Sequence, residues 1–220
     1  MLIFERRTNL EDYMYKTKRP LLAIIAAGVI ATMSILPAAT ASAALEMPRV
    51  DVTAGWTTHV QNVGNRSLSQ HTDLVGGTNV LNFTLGTQGK SLRLEYVEAS
   101  PVRINSNIST VIRSNYCGIN LQGHVQNIGW QGVSSRAGTT GQGLRLEAIK
   151  MWSTCSNVKI RYSVHVQNIG WMDTKTAGQM AGTSGRGLAI EAIRVSIELP
   201  NLNHIRDRIW DYECLLAGTC

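Results

Sequence analysis

Two stretches of the 220-residue chain hold a histidine, a glutamine and a tryptophan at one fixed spacing. They are His124, Gln126 and Trp130, then His165, Gln167 and Trp171, each set inside the seven residues His-Val-Gln-Asn-Ile-Gly-Trp. A third stretch, residues 59–65, keeps His59 and Gln61 but ends in Asn65. Such a set suits sugar recognition. A flat indole stacks on a pyranose face, while amide and imidazole hydrogen-bond hydroxyls in a few fixed directions. A glutamate follows each set, and Glu147 and Glu191 could accept from hydroxyls. The competing role is architectural. Residues repeated in every unit of a symmetric fold are often what the fold itself needs. The Trp would then plug the core, and Gln and Glu would bond neighbouring backbone. Trp56, Leu121 and Tyr162, each three residues before the His, read as core.

Catalytic chemistry is poorly served, and the reading is of a protein that is not an enzyme. There is no G-x-S-x-G, no H-E-x-x-H and no P-loop. The glycine-rich segment before each Glu precedes a strand, where a phosphate loop needs a helix N-terminus. A glycosidase needs two carboxylates at a set separation, and only the one repeated Glu is patterned. The asymmetric place where a site could hide is an insertion in the first copy, with His71 and Asp73. No metal or cofactor signature is present.

The candidate residues sit in a motif written three times. Its second block is Gly-Thr-Gln-Gly-Lys-Ser-Leu-Arg-Leu-Glu-Tyr-Val at 86–97, Gly-Thr-Thr-Gly-Gln-Gly-Leu-Arg-Leu-Glu-Ala-Ile at 138–149, and Gly-Thr-Ser-Gly-Arg-Gly-Leu-Ala-Ile-Glu-Ala-Ile at 182–193. From His to Glu is 36, 23 and 26 residues in the three copies, so copy one is expanded within 66–85. Around each His the pattern is β. Ile160, Tyr162, Val164 and Val166 alternate with Arg161, Ser163, His165 and Gln167, the period of a half-buried strand. The apolar parity shifts after Ala148 and Ala192, as a bulge or a strand buried on both faces would require. The Gly-Thr-x-Gly segment reads as a turn or close-approach loop. Asn62, Asn127 and Asn168 have core parity and suit a turn role. Helical periodicity is confined to Leu202–Trp210.

Three units of strand, loop and strand cannot each bury a core alone. The expected fold is all-β, a single pseudo-threefold domain at 44–199 with repeats at about 50–98, 115–152 and 157–198. A β-prism is preferred over a β-trefoil, because each unit shows two long strands in place of four short ones.

Before the repeats, residues 1–20 end in Lys16, Lys18 and Arg19, and an apolar run follows from Leu21 to Leu36. Small residues at 38–44 then read as a signal-peptide end, with cleavage expected after Ala43. The 16-residue run, interrupted only by Gly28, Thr32 and Ser34, is short for a spanning helix, which needs about 20. Export would leave about 177 residues with no second apolar span. These carry 16 Lys/Arg against 12 Asp/Glu, a charge of +4 with no basic run, which does not fit a nucleic-acid binder. The expected location is secreted or loosely cell-surface associated. The four cysteines then fit two disulfides, Cys117–Cys155 around one unit and Cys214–Cys220 within a tail at 200–220.

The block His-Val-Gln-Asn-Ile-Gly-Trp with Ala-Gly-Thr-Thr-Gly-Gln-Gly-Leu-Arg-Leu-Glu-Ala-Ile resembles the ChW repeat family, clostridial hydrophobic repeats with a fixed Trp. The resemblance covers about 50–198. Copies two and three carry it most strongly, while Asn65, the expanded middle and Tyr96-Val97 set copy one apart. It implies a secreted or surface-attached bacterial protein that binds polysaccharide or other macromolecules. The expected partner is therefore a polysaccharide or cell-envelope glycan, with a surface protein as the alternative.

Overall fold

A computed structural model describes residues 49–107 and 115–203. The leader at 1–43, the Cys214–Cys220 pair and nearly all of the helical stretch at 202–210 lie outside the described residues. Among those described, no helix is long and apolar enough to cross a membrane.

The chain is all-β. Copy one contains β1 (Val50–Val60), β2 (Gly64–Asp73), β3 (Val80–Gly86) and β4 (Leu94–Ala99). β5 (Val102–Ser106) and β6 (Asn115–Cys117) lead on to copy two. Copy two contains β7 (Ile119–Val125), β8 (Gly129–Trp130), β9 (Arg136–Gly138) and β10 (Leu146–Ser153). Copy three contains β11 (Lys159–Val166), β12 (Gly170–Trp171), β13 (Lys175–Thr176), β14 (Ala181–Gly182) and β15 (Ile190–Glu198). The two long strands expected per copy are present, and shorter ones accompany them.

Among the described residues the strands form three antiparallel sheets. In each, the strand bearing the His pairs with the strand bearing the Glu of the same copy: β1 with β4, β7 with β10, β11 with β15. The third partner comes from another copy. β9 of copy two pairs with β4, β14 of copy three with β10, and β3 of copy one with β15. The exchange is cyclic, so the three copies close on one another. That is the pseudo-threefold arrangement the repeats called for, and it is consistent with both a prism and a trefoil.

The core follows from the period-two pattern. Inward residues such as Val50, Val52, Val60, Leu121, Val125, Ile160, Val164 and Val166 are almost wholly buried. Trp56, Leu121 and Tyr162 are buried at their shared position. The Tyr162 hydroxyl satisfies itself there, accepting from Met151 N at 3.1 Å and donating to the Gln179 carbonyl. Burial raises its pKa above the ordinary tyrosine value, against the lowering effect of the Met151 amide. The expected Cys117–Cys155 disulfide is formed.

The parity shift is a β-bulge, and the bulged residue is the repeated glutamate. Leu146 and Ala148 face Val125 and His124, which leaves Glu147 unpaired in the ladder. Glu191 and Glu95 are skipped in the same way. Each freed carbonyl accepts from the Thr of the next copy's Gly-Thr segment. Thr139 N reaches Glu95 O at 2.7 Å, Thr183 N reaches Glu147 O at 2.9 Å, and Thr87 N reaches Glu191 O at 2.9 Å. The glycine before each Thr is required by this joint. A Cβ at Gly138, Gly182 or Gly86 would collide with that same carbonyl oxygen, and all three have positive φ.

Candidate functional site

Each motif starts on the outer face of its sheet. His59, His124 and His165 alternate with core residues, so they point away from the interior. The chain then reverses. Ile128 N donates to Val125 O at 3.1 Å, and Asn127 sits in the third position of this turn with φ 61°. Turns of this kind need positive φ there, which Asn tolerates. Asn62 and Asn168 match it, with φ 59° and 63°. The expectation of core parity for these three Asn therefore fails. They are exposed at hairpin tips, because the strand ends before them.

The reversal brings Trp130 directly opposite His124, and Trp171 opposite His165. Directly opposed residues of an antiparallel pair share a face. The two rings meet edge to face, with centroids 5.3 Å apart in copy two and 5.4 Å in copy three. His124 Nδ1 lies 3.1 Å from Glu147 Oε2, and His165 Nδ1 lies 3.0 Å from Glu191 Oε2. The glutamates are about 5–6% exposed and the two histidines 16–17%. Glu147 is also held by Arg145, whose Nε and Nη2 approach Oε1 at 2.9 and 2.8 Å. Copy three has Ala189 at that position, so His165 is the sole basic partner of Glu191 among the described residues.

The result is a relay of supports. The buried carboxylate lies against the imidazole, and imidazole and indole meet nearly at right angles. Trp130 stays 37% exposed, and Trp171 is half-buried. A cation completes each assembly. Lys150 Nζ lies 4.6 Å from the Trp130 ring centroid, and the Arg194 guanidinium 4.0 Å from that of Trp171. Neither cation belongs to the motif. Their signal in the sequence was position, each standing three residues after the Glu.

The motif glutamines sit beside the hairpin turn. Gln126 N donates to Arg145 O at 3.0 Å, Gln167 N to Ala189 O at 2.9 Å and Gln61 N to Arg93 O at 3.1 Å. The Gln167 side chain also accepts from Ala189 N at 3.5 Å. All three residues are half-buried.

Copy one builds the same hairpin differently. Asn65 lies opposite His59, and its Oδ1 is 2.8 Å from His59 Nδ1. The imidazole therefore presents its other nitrogen, Nε2, to Glu95 Oε2 at 3.7 Å. Arg93 Nε holds Glu95 Oε1 at 2.8 Å. Three residues after Glu95 stands an acid, Glu98, which accepts from the Tyr96 hydroxyl at 2.8 Å. Tryptophan and cation are thus replaced together. The expansion of copy one lengthens β2, which pairs with β1 from Val60–Gly64 to Asp51–Asp73. His71 there lies 3.3 Å from Asp51, and Asp73 accepts from Val50 N and Val75 N, a turn-closing role.

The family model described as Clostridial hydrophobic W (ChW) matches residues 124–154 and 165–198. No curated protein and no solved structure matches the chain. The matched spans are copies two and three, the two that pair an indole with a cation, while copy one lies outside them. The chain thus carries two repeats of the ChW family, joined in a ring with a diverged first copy of the same strand plan.

Proposed function

We propose that this is a secreted or cell-surface, non-catalytic, lectin-like protein that binds polysaccharide or cell-envelope glycan on the outer-face indoles of copies two and three. The observation that carries this reading is copy one. There the hairpin, the His–Glu contact and the joint between copies all form with Asn65 in place of the Trp. Copy one thus completes the motif without an indole, on a longer hairpin and an Asn65–His59 bond. A half-exposed aromatic ring, held rigid and kept at the same point twice, is suited to stacking on a sugar face. His, Gln and Glu act mainly as its support, given how they are bonded. Two weak sites on one body gain affinity together through effective concentration.

The alternative is a protein-interaction or structural module, which the burial of the Glu residues and their backbone joints favours. Trp130→Asn with Trp171→Asn tests between them, because it copies what copy one already does. On a glycan array the double variant is expected to keep its melting temperature within a few degrees and to lose about tenfold or more in binding. Unchanged glycan binding by the folded variant would remove the indoles as the platform. Unfolding of the variant would favour the architectural module.

A further inference from the structure

The outer faces of the second and third sheets present cations where that of copy one presents an acid. At the position three residues after the bulged Glu stand Lys150, Arg194 and Glu98. The first two lie over an indole, and the third sits in the sheet whose hairpin has Asn65. The third sheet extends this pattern. Register places Ser163, Arg194 and Thr84 in one row and Arg161, Ser196 and Asn82 in the next. These residues, with Thr174, line a groove of about 410 Å³ next to Trp171. Its lining mixes hydroxyls, an amide and two guanidiniums with Phe83, Tyr162 and Val195. Arg161 is 3.6 Å from Glu198, at the far end from Trp171. Arg194 has no carboxylate within ion-pair distance among the described residues. Asp173, two residues after Trp171, is exposed.

We infer that the polysaccharide taken at these sites is acidic, bearing carboxylate or phosphate groups, with Lys150 and Arg194 meeting the charge while the adjoining indole meets the ring. This rests on the glycan reading above. A neutral glycan offers a guanidinium only hydroxyl oxygens to bond. An anionic one gains a charge-assisted hydrogen bond from a group already held in place by the ring. Copy one has no indole platform for such a ligand, and its acid, Glu98, stands directly across the strands from Arg136.

The test uses the exported chain and two matched pairs of polymers: polygalacturonate against its methyl ester, and phosphomannan against neutral mannan. Binding to at least one acidic member and not to its neutral partner is expected, weakening as salt rises from about 0.05 M to about 0.5 M. The variant Lys150→Gln with Arg194→Gln should lose about tenfold, while Lys150→Arg with Arg194→Lys should retain binding. Grafting Asn65→Trp with Glu98→Arg into copy one should raise it. Preference for one acidic pair over the other would tell carboxylate from phosphate. Equal binding of acidic and neutral members, or undiminished binding by the folded Gln variant, overturns the acidic assignment and leaves a neutral-glycan lectin standing. Binding of no polymer of either charge overturns both readings.

Discussion

Copies two and three differ in one respect that can be weighed quantitatively. Glu147 and Glu191 are equally buried, and each meets a histidine at about the same distance. Glu147 also has Arg145, whereas Glu191 faces Ala189. His124→Gln therefore leaves Glu147 with a guanidinium at 2.8 Å, but His165→Gln leaves Glu191 with no basic partner among the described residues. Breaking a buried pair so that one charge stays unmatched costs about 3–5 kcal/mol. The histidines are 16–17% exposed, so water relieves part of this, and about 2–4 kcal/mol is expected for His165→Gln. For His124→Gln the remaining ion pair limits the loss to about 1 kcal/mol. The gap of about 2 kcal/mol corresponds to roughly 4–8 °C in melting temperature for a domain of this size. Urea unfolding of the two variants beside the parent measures it. Partial recovery is expected when Ala189→Arg and Ser91→Gly are added to His165→Gln. Gly143 and Gly187 lie against Arg93 and Arg145, and Ser91 holds the corresponding position in copy one. Equal losses for the two histidines, or no recovery with the added arginine, would refute the idea that the carboxylate's partners set the cost.

Three further outcomes follow from the joints and the core. Gly182→Ala should cost at least about 3 kcal/mol by denaturation, since its Cβ would collide with the Glu147 carbonyl at φ 102°, whereas Gly132→Ala, with open space around it, should cost under about 1 kcal/mol. The Cys117–Cys155 bond spans 38 residues, so Cys117→Ser with Cys155→Ser should lose about 4 kcal/mol on the chain-entropy account, read from chemical unfolding of the two forms. Tyr162 has a raised pKa, chiefly from burial. The folded chain holds that proton longer than the unfolded one, so stability is full below about pH 10 and falls as pH rises past the unfolded tyrosine value. Tyr162→Phe should flatten the alkaline limb of a melting-temperature profile.

Much of this fold could be read from single residues and their spacing. The alternation around His165 marked β11 because a half-buried strand imposes period two over eight residues. The parity shift near Ala148 and Ala192 admitted a bulge or a strand buried on both faces, and the structure has the bulge, at the Glu just before each of them. The cyclic exchange could not be read, since β9 and β14 are three and two residues long and carry no period. Their pairing is decided by a partner from another copy, far along the chain. The tip asparagines were misplaced for a related reason. Periodicity was extended through Asn127, where a positive φ turns the chain back.

The site divides along the same line. Sequence alone determined that His, Gln, Trp and Glu recur as a set and that copy one lacks the Trp, because repetition is a property of residue order. Only the tertiary structure decided which of them reach solvent. The Glu is buried because it occupies the bulge that links its copy to the next. The Trp is exposed because its hairpin lies on the outer face of the sheet. Lys150 and Arg194 stand 20 and 23 residues after their Trp and join it only through cross-strand pairing.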